Sequence, residues 1–292
     1  MMNTCNIDEG FARVTRLCYR SVSTPFDNKK AFFFCIIHTF SYLCSVKKRT
    51  KVRRNILTLC IFCCTLAACA QTTTEEGLQR LRQWQAGTTV SDEAVKEYGL
   101  DKCFAAEEIP DNVWQRMQGK TYTENPNIKR SDLRHIRVLH WDYDNQTHIG
   151  EMICNKKIAS DLVEIFKELY AARYPIQRMV LPDEYDADDE RQMRANNSSC
   201  FCYRTIANSK TLSKHALGMA IDLNPLYNPY VRRRNNGTLF VQPANATQYC
   251  DRKATFRYKI TKNDLAYKLF TKHGFRWGGA WPKYKDYQHF DR

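Results

Sequence analysis

The chain has 292 residues, 43% hydrophobic and 26% charged, with a formal net charge of +14. That is ample length for one or two domains with a buried core. Residues 1–69 hold 11 of the 45 Lys/Arg but only 3 of the 31 Asp/Glu. More than half the positive excess therefore sits in the front quarter, and the rest lacks the interleaved arginines and aromatics of a nucleic-acid platform, which argues against a nucleic-acid partner.

The front of the chain reads as an export signal. Lys47-Lys-Arg-Thr-Lys-Val-Arg-Arg54 is a positive n-region, and residues 56–68 form an apolar run too short for a comfortable membrane span. The run ends in Leu66-Ala67-Ala68-Cys69, which resembles a bacterial lipobox. Small residues there let a signal peptidase reach the backbone, and the Cys69 thiol accepts a diacylglyceryl group that holds the protein on the membrane. The expected location is thus the bacterial cell envelope. Residues 1–46, with a second apolar run over 31–46, do not fit a signal that begins at its basic region; we expect this stretch to be a start-site artefact or to leave with the signal. Eight of the 13 cysteines lie at or before Cys69. Cys103, Cys154, Cys200, Cys202 and Cys250 remain, an odd number that allows one or two disulfides without choosing partners.

Residues 70–77 are polar and read as a tether. Leu78, Leu81 and Trp84 recur at helical spacing, Ser91 caps a second short helix, and Asp111 to Tyr122 offers a third. Together, residues 78–125 are expected to form a small helical cap on a catalytic domain over 126–292. Residues 136–143 and 148–154 are strand-like around a polar turn, which predicts a β-hairpin. Asn155 is placed as the cap of an amphipathic helix whose Ile158, Leu162, Ile165, Phe166 and Leu169 face the core, closed by Pro175. Residues 176–181 and 200–206 read as further strands. The acidic run Asp183 to Glu190 lacks the spacing of an EF-hand loop and reads as solvated.

The residues that carry chemistry come next. His215 and Asp222 flank Gly218 and the small apolar run Met219-Ala220-Ile221. A loop turning at Gly218 into a strand can aim both side chains at one ion, and His289 completes a set of three protein ligands plus water, the pattern of a catalytic zinc site. Asp286, three residues before His289, faces the same cavity on a tight turn and can take a proton from that water as a general base. After Asp222, Asn224 to Pro229 leaves the strand, and residues 232–258 are basic and turn-rich. Thr261 is the expected cap, with Asp264 at the third position, of a helix through Leu265, Leu269 and Phe270 that Gly274 ends. His273 at its last turn complements the helix dipole and is the main rival ligand. Gly278-Gly279-Ala280-Trp281 lets backbone and indole approach the cleft.

The pattern Ser213-x-His215-x-x-Gly218-x-Ala220-x-Asp222, followed by Asp286-x-x-His289-Phe290, resembles zinc D-alanyl-D-alanine carboxypeptidases and related peptidoglycan peptidases. Vancomycin-resistance D,D-peptidases and phage L-alanyl-D-glutamate endolysins belong to that family. Phe201-Cys-Tyr-Arg204, Asn224-Pro-Leu-Tyr-Asn-Pro-Tyr230 and Gly274-Phe-Arg-Trp-Gly-Gly-Ala-Trp281 are similar to segments of its carboxypeptidase-like branch, so the resemblance spans roughly residues 130–292. It implies an α+β domain, a small antiparallel sheet flanked by helices, with a single Zn2+ in a cleft on the sheet face. Zinc would be held by His215, Asp222 and His289, with Asp286 as base; many relatives carry Glu there, but the carboxypeptidase-like branch carries Asp. Arg204 would steady the oxyanion or pair with the substrate carboxylate, if its strand runs beside that of Asp222; the alternative is a structural ion pair. Ser213 would bind substrate or orient the His215 loop, and Trp281 would line the substrate cleft. The substrate would be a peptidoglycan stem peptide, cut by a monomeric carboxypeptidase or endopeptidase. The rival reading is a lipid-anchored wall-binding protein on the same fold that does not cut.

Overall fold

In the computed structural model, which describes residues 73–206 and 209–292, elements form where the sequence changes its apolar period. The basic region, the apolar run, Cys69 and residues 70–72 lie outside the described residues. Residues 73–83 are helical (α1), so the segment expected as a tether is helix from residue 73 onward. Asp92–Tyr98 (α2) begins as expected at Ser91, whose hydroxyl accepts from the Ala94 amide. Strand β1 (Ala105–Glu107) and helix α3 (Asp111–Met117) follow, α3 ending five residues before Tyr122. No helix among the described residues is long and apolar enough to cross a membrane.

The expected hairpin is β2 (Leu133–Trp141) and β3 (Thr147–Asn155), paired in register from Leu133↔Asn155 to Trp141↔Thr147. It is apolar on both sides. Ile136, Val138, Met152 and Cys154 meet Leu162, Ile165, Phe166 and Leu169 of α4 (Ala159–Ala171) in the main core. Leu133 and Ile153 meet Val113 and Met117 of α3, with Leu181 and Phe201, in a second one. Each such side chain contributes about 1.5–3 kcal/mol of burial. Leu78, Leu81, Ala94, Val95 and Phe104 belong to the same main core as α4 and Phe290. The N-terminal helices therefore pack in one unit with the rest of the described chain.

Several expectations are corrected. Asn155 ends β3, where its Oδ1 accepts from the Lys157 amide in a turn, and the helix begins only after Ile158. Residues 176–181 and 200–206 form no ladder. Their backbone groups are satisfied singly, by bridges such as Trp141↔Pro175, Arg178↔Asn197 and Thr205↔Leu212. The acidic run is solvated only in part: Glu184, Asp186 and Asp188 are exposed, but Asp183 is buried against Arg116, Asp186 pairs with Lys120 and Arg191, and Asp188 caps helix α5 (Asp189–Arg194). Asp264, not Thr261, caps helix α6 (Leu265–Lys272), accepting from the Ala266 amide. The five described cysteines are free thiols, four of them buried.

The remaining strands are short and make two more three-stranded antiparallel sheets, so the fold is α+β with three small sheets instead of one. One is β4 (Ala220–Asp222), β9 (His289–Asp291) and β7 (Arg276–Trp277), in the order β4-β9-β7. The other is β5 (Tyr230–Arg233), β6 (Leu239–Gln242) and β8 (Lys285–Asp286), in the order β6-β5-β8. The central strand β9 is fixed by Phe290, which stacks on Phe270 of α6 at 4.4 Å between centroids. With Phe290 committed to the core, strand alternation sends His289 to the opposite face.

Candidate metal centre

Asp222 and His289 are directly opposed residues of the β4–β9 pair, which places both side chains on one face. His215 reaches the same point from a short 3-10 turn, His215–Leu217, that ends at Gly218 in the left-handed region (φ 65°). A Cβ at Gly218 would meet the Asn155 backbone nitrogen at 2.6 Å, so only glycine lets this turn dock on the end of β3. Asn155 completes the clamp, its amide N–H and its side-chain Nδ2 donating to the carbonyls of Gly218 and Leu217. Nothing in the linear order of residues signals this, because an Asn before a helix reads first as a cap.

The donor atoms converge closely. His215 Nε2 lies 3.2 Å from His289 Nδ1 and 3.3 Å from Asp222 Oδ2, and His289 Nδ1 lies 3.1 Å from Asp222 Oδ1. Ligands about 2.0–2.1 Å from a tetrahedral ion stand about 3.3 Å apart. The two imidazole nitrogens match that spacing, and one atom from each of the three residues lies within 4.8 Å of the others. The tautomer fits as well. His215 Nδ1 lies 2.6 Å from the Cys200 carbonyl and must donate to it, which leaves Nε2 with its lone pair turned inward. Both imidazoles are buried. Burial opposes charge on Asp222, but His215 and His289 hold its carboxyl well below the ordinary range. For His289 burial likewise disfavours the charge, yet the Asp222 hydrogen bond raises its pKa.

Asp286 closes β8, and the chain turns so that it and His289 pack on the same residue, Gly278. Its Oδ1 is buried with no hydrogen-bond partner in the protein. Burial, and then the neighbouring Asp222 charge, raise its pKa to about 6. A carboxyl in that state is suited to exchange protons near neutrality. Ser213 is buried and its Oγ accepts from the His215 amide, the loop-orienting arrangement among the expected ones. Trp281 lies beside His289, 5.1 Å between ring centroids.

One candidate, His273, lies elsewhere, and another, Arg204, is paired with a carboxylate. His273 caps α6 and pairs with Asp161 at 3.0 Å, apart from the ligand cluster. The bridge to Asp222 is made by Ser199, not by a strand carrying Arg204. Arg204 Nε lies 2.6 Å from Asp189 Oδ2, the ion pair named as its alternative. Its carbonyl accepts from the Ser213 amide, and the Cys202 amide donates to the His215 carbonyl, so this segment still runs along the His215 loop.

Two imidazoles and a carboxylate whose donor atoms lie within 4.8 Å of one another, with an unpartnered carboxyl alongside, could hold a metal ion. Residues 207–292 match the family model described as D-alanyl-D-alanine carboxypeptidase, a likeness over less than half of the chain that supports a peptidase of carboxypeptidase type. The match contains His215, Asp222, Asp286 and His289 together with Ser213 and Trp281; Arg204 and the rest of the similarity noted from about residue 130 precede it. No curated protein and no solved structure matches the chain.

Proposed function

We propose that this chain is a zinc-dependent peptidase that hydrolyses peptide bonds in peptidoglycan stem peptides, as a D-Ala-D-Ala carboxypeptidase or an endopeptidase of the L-Ala–D-Glu type. The observation that carries the reading is the convergence of the two imidazole nitrogens, 3.2 Å apart, on the two oxygens of the Asp222 carboxylate at 3.1 and 3.3 Å. When bound there, zinc supplies Lewis acidity that polarises the scissile carbonyl and makes water a nucleophile at neutral pH. Asp286 takes the proton from the attacking water and returns it to the leaving amine, a role that needs a free lone pair such as that of its Oδ1. Arg204, tethered by Asp189, offers its remaining guanidinium N–H groups to the developing oxyanion or the substrate carboxylate. Ser213 keeps His215 in place, and Trp281 walls the cleft beside His289. Acylation of Cys69 would hold this monomeric enzyme at the envelope, next to its substrate.

The test is digestion of purified muropeptides by the metal-loaded chain, with products identified by mass spectrometry. Asp286→Ala should keep its zinc and lose about 10²–10⁴-fold in turnover. Equal turnover by that variant removes the proposed base. Muropeptides bound but left intact by the native chain would make it a wall-binding protein instead.

A further inference from the structure

The β6-β5-β8 sheet carries a pattern that stability does not require. Directly opposed residues of an antiparallel pair project to the same face. Tyr230 opposes Asp286 on β8 and Gln242 on β6, and Arg232 opposes Phe240. The proposed base therefore shares a face with Tyr230, Arg232 and Phe240. The rings on this side form a continuous series that ends at a metal ligand. Phe240 and Tyr230 are 6.2 Å apart, Tyr230 and Tyr284 5.6 Å, Tyr284 and Trp281 5.2 Å, and Trp281 and His289 5.1 Å.

The outer end of the series is positively charged. The guanidinium groups of Arg232 and Arg234 lie 5.6 and 5.0 Å from the Phe240 ring. Both arginines are exposed, and neither is ion-paired with a carboxylate among the described residues. Residues 230–242 contain no Asp or Glu, and Lys283 and Lys285 flank Tyr284. Tyr284 itself is 39% exposed. Arginines over one ring would account for about 0.5–1 kcal/mol each at an exposed site. That does not explain why partly exposed rings continue inward to His289.

We propose that this face is a substrate track: it receives a carboxylate-bearing peptide that extends several residues from the scissile bond, with its carboxylates at Arg232 and Arg234. The inference rests on the proposed peptidase activity and narrows its substrate to an acidic peptide longer than a dipeptide. Peptide backbone and aliphatic carbons lie over Trp281, Tyr284 and Tyr230, and the arginine forks take the carboxylates. An anionic membrane would need only the basic tip. It would have no use for a ring series that turns into the metal centre, so the peptide is the better occupant.

The experiment uses the full metal-loaded chain and an Arg232→Gln/Arg234→Gln variant. Two peptides of equal length share one scissile bond; one has free carboxylates on its distal residues, and the other has them amidated. At low salt the native chain should prefer the acidic peptide by about tenfold or more, mainly through KM, with the preference shrinking as salt is added. The double variant should prefer it less than twofold. A native chain indifferent to amidation, or a preference that survives the double substitution, overturns the track. Calorimetric binding of the same peptides separates the two readings. Preferential binding without cleavage keeps the track and sinks the peptidase; cleavage without preference does the reverse. If the substitutions abolish binding to anionic phospholipid vesicles yet spare the peptide preference, the hairpin belongs to the membrane and the proposal fails.

Discussion

Gly278 supports the proposed base from beneath, and adding one methyl group there tests the arrangement without touching any reactive atom. A Cβ at this position would stand 2.7 Å from the Asp286 carbonyl oxygen, 2.9 Å from the Asp286 Cβ and 3.2 Å from the His289 Cβ. Gly278 is not among the positive-φ glycines, so alanine fits the backbone and the effect is steric alone. Carbon contacts are optimal near 3.5–4.0 Å, so Asp286 would retreat by about half an ångström or more. A 1 Å misplacement of a reacting group costs on the order of 10²-fold, so Gly278→Ala should lower kcat by about tenfold. Overpacking should cost about 1–3 kcal/mol in stability as well. The assay is steady-state cleavage of a muropeptide alongside zinc content and thermal melting. Native kcat and native melting temperature in Gly278→Ala would refute the placement of Asp286 and His289 against this glycine.

Three other outcomes are expected. Asn155→Ala removes the side-chain hydrogen bond to the Leu217 carbonyl, and zinc affinity, measured by chelator competition, should fall by about tenfold as the His215 loop loosens. Zinc binding needs the His289 Nδ1 lone pair, and in the metal-free chain the Asp222 hydrogen bond raises the His289 pKa despite burial. Zinc affinity should therefore fall about tenfold per pH unit below that raised pKa and level off above it, with protons released on binding in calorimetry. Asp161 is opposed by burial, yet His273 and Arg292 hold its carboxyl below the ordinary value. The stability it adds is present above about pH 3.9 and is lost as pH falls through the lower folded value. Asp161→Asn should weaken that acid limb of the stability curve, followed by urea unfolding between pH 2 and 6.

The ligand set was legible because its three members are chemically distinctive and sit at recognisable spacings, and the hairpin and α4 because their apolar periods are long. Other features depend on partners the linear sequence does not display. Residues 176–181 and 200–206 have strand-like composition, but the backbone groups they meet belong to isolated bridges rather than ladders. Arg204 would face Asp222 only from a neighbouring strand; Asp189, fifteen positions earlier in the acidic run, pairs with its guanidinium. Asn155 reads as a helix cap, but its Oδ1 serves a turn at Lys157 before the helix, and its Nδ2 donates to a carbonyl 62 residues away. The ring series from Phe240 to His289 draws on four separate segments, and only strand register brings them together.

The spacing of the ligands along the chain also controls when the activity can arise. His289 comes 67 residues after Asp222 and 74 after His215, and it meets them as the middle strand of its sheet. A ribosome-bound or prematurely released chain that stops short of residue 289 carries two ligands, no opposing strand for β4, and no place to hold an ion. If the proposed activity is correct, the chain would stay inert during its own synthesis and become hydrolytic only when β9 closes the sheet.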